Sequence, residues 1–155
     1  MADRWVGGCA CGEIRYRLAS APMFVNCCHC TNCQTQTGSA FVINALIETD
    51  RIVASSDRLE VTTWPSGDDD VQDVYRCSEC KVVVWGDYGR RPGLRFLRVG
   101  TLDDPAALPP NAHVFTRSKL PWVRLPDDAL HFDEYFDIRE HWPAESLERM
   151  RASVE

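Results

Sequence analysis

Eight cysteines lie in three tight clusters, Cys9-x-Cys11, Cys27-Cys28-His29-Cys30-x-x-Cys33 and Cys77-x-x-Cys80. Thiols packed this closely along a chain are spaced for chelation, because one ion needs several sulfurs within a few ångströms. The first residues, Met1-Ala2-Asp3-Arg4-Trp5, lack the apolar run of a secretory signal. A cytosolic location is therefore expected, and there thiols stay reduced and clustered cysteines serve metals rather than disulfides.

Between the clusters run short β-favouring segments: 13–18, 23–28, 40–47, 58–64, 71–77, 82–85 and 94–99. Turn-forming stretches divide them, notably Trp64-Pro65-Ser66-Gly67-Asp68-Asp69-Asp70 and Gly89-Arg90-Arg91-Pro92-Gly93. The expectation is a mostly β fold in one domain, a size the 155 residues allow. Two helices are expected. One spans 30–38 and ends at Gly38, and the other spans 142–154, with Pro143 in its first turn. Leu147 and Met150 give the second helix only a narrow apolar edge, which reads as a peripheral element.

Charge excludes some functions. With 17 basic against 23 acidic residues the formal charge is −6, which disfavours binding to phosphate backbones. No apolar stretch is long enough to span a membrane. No nucleic-acid or membrane partner is expected. There is no G-x-S-x-G, phosphate loop or dinucleotide fingerprint, and the Asp68-Asp69-Asp70 run lacks the alternating oxygens of a calcium loop.

The cysteines divide into two groups. Cys9 and Cys11, read as i and i+2 on extended chain among Gly7, Gly8 and Gly12, face one side; Cys77 and Cys80 form a zinc-ribbon-like knuckle. Joined, these four make a closed tetrahedral structural site. By the same parity Cys28 and Cys30 share a face and Cys33 returns to it, while Cys27 and His29 point away. Three thiolates without an obvious fourth ligand describe a zinc site open for chemistry. Its softness and negative charge suit holding a substrate thiolate better than activating water for hydrolysis. Three other arrangements fit the spacing: Cys27 or His29 as a fourth ligand, or Cys9 and Cys11 pairing with Cys28 and Cys30.

Several motifs carry a family resemblance. They are Gly7-Gly8-Cys9-Ala10-Cys11-Gly12-Glu13-Ile14-Arg15-Tyr16, then Asn26-Cys27-Cys28-His29-Cys30-Thr31-Asn32-Cys33-Gln34 with Gly38-Ser39-Ala40-Phe41, then Arg76-Cys77-Ser78-Glu79-Cys80. Val99-Gly100-Thr101-Leu102-Asp103-Asp104-Pro105 and His113-Val114-Phe115-Thr116-Arg117-Ser118-Lys119-Leu120-Pro121-Trp122 close the series. Together they resemble the glutathione-dependent formaldehyde-activating enzymes, a family that includes centromere protein V. The resemblance covers residues 4–126 and leaves 127–155 as an acidic C-terminal extension ending in a helix. It implies a β-tent of stacked antiparallel sheets with a zinc-bearing apex. It also implies two Zn²⁺ per chain: structural zinc on Cys9, Cys11, Cys77 and Cys80, and catalytic zinc on Cys28, Cys30 and Cys33. The catalytic site is expected to fill incompletely, because three ligands hold metal less firmly than four.

The activity implied is that of a carbon–sulfur lyase acting on a glutathione-type thiol adduct of formaldehyde or another small aldehyde. The alternative is a non-enzymatic zinc module with a structural or protein-interaction role. Gln34 and Ser39, with Thr35 and Thr37, are expected to line the substrate pocket. Lys81 stands where many members have glycine, at a turn that favours a left-handed conformation. His113 and Lys119 read either as contacts to an anionic substrate or as packing. Trp122 is expected in the core, and His131 and His141 at the surface.

Overall fold

The computed structural model describes residues 4–66 and 70–154. Asp68 and Asp69, with the acidic turn expected there, lie outside the described residues, as do residues 1–3 of the leader reading.

Ten strands form: β1 Val6–Gly8, β2 Arg15–Leu18, β3 Phe24–Cys28, β4 Val42–Glu48, β5 Ile52–Ala54, β6 Leu59–Pro65, β7 Val71–Cys77, β8 Val83–Tyr88, β9 Leu94–Arg98 and β10 Ala112–Val114. Three α-helices accompany them: α1 Thr31–Thr37, α2 Ile138–His141 and α3 Ala144–Val154. A small sheet has the order β1-β2-β5, and a larger one runs β10-β3-β4-β9-β8-β7-β6. All pairings are antiparallel except β10 with β3. The mostly β expectation holds, with two sheets. Sequence patterning located the longer strands to within three residues, but it missed β1, β5 and β10, whose three residues are too few to show a period.

The β3–β4–β9 part of the large sheet is covered on both faces, while β6 at its edge is largely exposed. Register pairs Val25 with Ala45 and Ala45 with Leu97, and this face packs on Ile14, Tyr16 and Leu18 of the small-sheet hairpin. Gly7 permits that approach, since a Cβ there would sit 2.4 Å from the Thr101 carbonyl and 2.6 Å from the Tyr16 hydroxyl. The alternate residues Phe24, Leu46 and Phe96, also paired in register, face the other way. Their cover comes from the chain's last segment: Phe132, Phe136, Ile138, Trp142, Leu147 and Met150. Strand β4, covered on both sides, is therefore apolar apart from Asn44 and its terminal Glu48.

Helix α3 corrects the peripheral reading. Ser146 Oγ, in a buried residue, donates to the Met23 carbonyl at 2.8 Å. Arg149 grips Glu48 through Nε at 2.8 Å and Nη2 at 2.6 Å. A narrow apolar edge sufficed because aromatic residues before the helix, not on it, supply most of the contact. Trp122, expected in the core, is 70% exposed, set on a turn between prolines with no strand to carry it inward. His141 packs on Phe132 and Phe136 rather than lying free at the surface. No helix among the described residues is long and apolar enough to cross a membrane.

Candidate functional site

Cys9 and Cys11 do not sit on extended chain. They occupy the tight connection between β1 and β2, closed by Cys9 N–H donating to the Ile14 carbonyl at 3.0 Å and Gly12 N–H to the Cys9 carbonyl at 3.3 Å. Gly12 takes φ 81° there, a left-handed turn that brings the two sulfurs together where simple alternation would have separated the strand too early. Cys77 ends β7, and Cys80 follows in a turn whose exit residue, Lys81, has φ 64°. The strained left-handed turn expected at Lys81 is present, held by its N–H on the Cys77 carbonyl at 3.0 Å. Cys9 and Cys11 sulfurs are 3.5 Å apart, Cys11 and Cys77 sulfurs 3.8 Å apart, and all four lie within 4.8 Å of one another.

A tetrahedron of Zn–S bonds near 2.3 Å has sulfur–sulfur edges of about 3.8 Å. The four-sulfur group therefore fits a zinc ion by spacing and by donor type. Backbone N–H groups face its sulfurs: Ile14 N–H reaches Cys9 at 3.3 Å. The N–H of Val82, with that of Cys11, lowers Cys80 to about 6.

The second group converges from a strand end and a helix start. Cys28 closes β3, Cys30 is the N-cap of α1, and Cys33 lies in its first turn, where its N–H donates to Cys30 Sγ at 3.3 Å. Gly38 caps the far end at φ 66°, as the sequence suggested. The three sulfurs lie within 4.8 Å, and among the described residues no fourth metal-binding side chain joins them. Ionisation of one sulfur disfavours ionisation of its neighbours. Hydrogen bonds from Cys28 and then Cys33 pull Cys30 down to about 2, while contact with Cys30 and Cys33, with burial, pushes Cys28 far up. Three thiolates at this spacing need a cation, and the soft donor set fits zinc.

This group borders a cavity of about 690 Å³. Polar residues on its wall include Asn26, Asn44, Tyr88, Arg91, Ser118 and Tyr135. The Tyr88 hydroxyl lies 3.7 Å from Cys33 Sγ, and burial, then the charge of Cys33, raises the phenol so that it stays protonated. Tyr135 presents part of its ring to solvent, yet its hydroxyl reaches inward and accepts from Asn26 Nδ2 at 3.0 Å. Arg91 lies over the Phe96 ring and donates to the Tyr88 carbonyl at 2.9 Å. It pairs with no carboxylate among the described residues, whereas Arg117 pairs with Glu134.

Of the residues expected to line the pocket, Gln34 and Ser39 lie elsewhere. The Gln34 amide is spent on the carbonyls of His29 at 2.9 Å and Ser118 at 3.0 Å, bracing the cysteine segment. Ser39 is exposed beyond the Gly38 cap. Thr37 donates to the Cys33 carbonyl at 2.8 Å. Tyr88, Tyr135, Arg91, Asn26 and Asn44 were not singled out from sequence. They come from four separate segments, Tyr88 and Arg91 sharing one, and only the tertiary fold, including the pairing of Asn26 opposite Asn44, unites them.

On the opposite face of β3, Cys27 and His29 sit with His113 of β10, the register partner of Cys27. His29 Nε2 is 3.6 Å from Cys27 Sγ and 3.0 Å from His113 Nδ1, and the three side chains could also hold a metal. Burial, with His113 and Lys119 nearby, lowers His29 to about 4, so its ring is neutral near pH 7. The Lys119 ammonium is tied to the Val123 carbonyl at 2.7 Å.

The chain is similar to known proteins. A Rhodobacter sphaeroides protein of known crystal structure superposes with a TM-score of 0.47 at 16% identity, covering 63% of this chain and 87% of that one. A Halomonas elongata protein named for glutathione-dependent formaldehyde activation is 28% identical over 126 residues, 77% of this chain and 79% of its own length. Residues 4–118 match the family model described as glutathione-dependent formaldehyde-activating enzyme. That span contains all eight cysteines, and the chain belongs to this family.

Proposed function

We propose that this chain is a zinc-dependent carbon–sulfur lyase that makes and breaks the bond between a glutathione-type thiol and the carbonyl carbon of a small aldehyde. In this reading Cys9, Cys11, Cys77 and Cys80 hold a structural zinc, and Cys28, Cys30 and Cys33 hold the catalytic one. The observation that carries it is three cysteine sulfurs converging on the wall of a cavity with no fourth metal-binding side chain among the described residues.

Bound there, zinc supplies Lewis acidity that favours the substrate sulfur as thiolate. The chemistry balances without a redox partner. In the forward direction the sulfur lone pair forms a bond to the carbonyl carbon, the π pair moves to oxygen, and the proton released by the thiol ends on that oxygen. Tyr88, protonated and beside Cys33, is placed to donate a hydrogen bond to the oxygen as its charge develops. The Tyr135 hydroxyl, which accepts from Asn26, keeps its own proton free to donate. Arg91, with no carboxylate of its own among the described residues, supports anchoring of an anionic group on the thiol partner.

The test is the exchange rate between formaldehyde, glutathione and S-hydroxymethylglutathione, followed by NMR on zinc-loaded protein. Wild type should exceed the spontaneous rate. Cys30→Ser should fall to it while one zinc per chain stays bound. Survival of activity in Cys30→Ser on every thiol–aldehyde pair tried would sink the reading.

A further inference from the structure

The match to the family model ends at residue 118, yet much of the apolar wall of the cavity comes from beyond it. Ile138, Trp142 and Met150 line the space opposite Leu46 and Phe96 of the large sheet. Phe96, Ile138 and Met150 are only partly buried. Apolar side chains ringing a hollow of about 690 Å³, where further packing would have filled it, are the usual lining of a binding pocket. A hydroxymethyl group carries one carbon, and glutathione is a charged, polar peptide. Neither makes use of this wall.

We infer that the cavity between the large sheet and the C-terminal segment is a subsite for an apolar aldehyde substituent, aromatic or branched, so that the preferred adduct derives from an aldehyde larger than formaldehyde. The substrate-class part of this inference rests on the lyase reading; the existence of the subsite does not. Ile138, Trp142 and Met150, on a segment outside the family match, set the specificity. The bond changes are those given above, with the hydrogen on the carbonyl carbon of formaldehyde replaced by the apolar group.

The experiment uses the full-length zinc-loaded protein and three probes. 2-Phenylethanol, which has no thiol, is titrated by NMR. S-Benzylglutathione and S-methylglutathione are compared by calorimetry. Exchange rates are then measured for glutathione with phenylacetaldehyde and with formaldehyde. Wild type should bind the benzyl thioether at least about tenfold tighter than the methyl one, the scale on which apolar pockets discriminate. Ile138→Trp, which fills the space, should erase that ratio, and Ile138→Ala, which keeps it open, should retain it, with circular dichroism confirming that both are folded. Binding of phenylethanol with no turnover of any thiol–aldehyde pair would uphold the subsite and overturn the lyase reading. Turnover of formaldehyde without phenylethanol binding or a benzyl preference would overturn the subsite and leave the lyase reading intact. Equal benzyl-to-methyl ratios in wild type and folded Ile138→Trp would also overturn it.

Discussion

Trp142 stacks on Phe24 with ring centroids 5.4 Å apart and planes inclined by 12°. Through this contact the last segment of the chain lies against the large sheet, and Trp142 is 5% exposed. Trp142→Ala should lower unfolding stability by about 3–5 kcal/mol, the loss typical of a large aromatic removed from a core. Urea denaturation measures it, and a change below 1 kcal/mol would mean that the segment is not anchored here.

The Glu48–Arg149 pair should make the attachment of α3 sensitive to acid. Burial raises the Glu48 carboxyl, but the hydrogen bonds from Arg149 outweigh it and hold the group below its ordinary value of 4.5. A depressed carboxyl contributes stability that is present above its unfolded value and lost as pH falls through its folded one. Glu48→Gln should therefore cost about 2 kcal/mol at neutral pH. That deficit should shrink as wild type is taken below about pH 4.5, as stability measurements from neutral pH to pH 3 would show.

Lys81 holds φ 64° in the turn after Cys80. Left-handed backbone costs an L-residue with a Cβ about 1–2 kcal/mol, while the exposed ion pair of Lys81 with Glu60 returns little. Lys81→Gly should raise stability by up to about 1 kcal/mol with unchanged zinc content. A loss of zinc would show that the lysine side chain supports the knuckle in some other way.

The two proposed zinc sites should empty in order. A site with three protein ligands releases metal more readily than one with four, so graded chelation should remove the first equivalent without unfolding and the second with it. Metal analysis paired with circular dichroism follows both. Unfolding that accompanies the first equivalent would reverse the proposed roles.

Tyr88→Phe should leave the metal content unchanged and reduce the exchange rate by about 100-fold, the lower range for a positioned proton donor. A rate within twofold of wild type would reassign the donor role to Tyr135.

The grouping of the cysteine sulfurs was legible in spacing. Strand parity separated Cys28 and Cys30 from Cys27 and His29, because one residue of shift reverses the face. The same rule misdescribed Cys9 and Cys11, whose sulfurs come together at a turn containing Gly12 rather than by alternation along a strand. The cavity was not legible. Asn26, Tyr88, Arg91 and Tyr135 carry no local pattern; the seven-stranded sheet places Asn26 and Tyr88, and the β8–β9 turn and the C-terminal segment bring in Arg91 and Tyr135. The role of the last segment was hidden for a related reason: the apolar edge of α3 is narrow, and Phe132, Phe136 and Trp142 do the covering from outside it.

The bond from Ser146 to the Met23 carbonyl joins residues 123 positions apart. A ribosome emits the strands of the large sheet well before the segment that covers their aromatic face. Until Trp142 and Ser146 emerge, Phe24, Leu46 and Phe96 form a sticky, water-exposed surface on an otherwise assembled sheet. Expression of a fragment cut at residue 118, where the family match ends, should therefore yield aggregate, and the nascent chain should depend on chaperones until residues 132–150 have emerged.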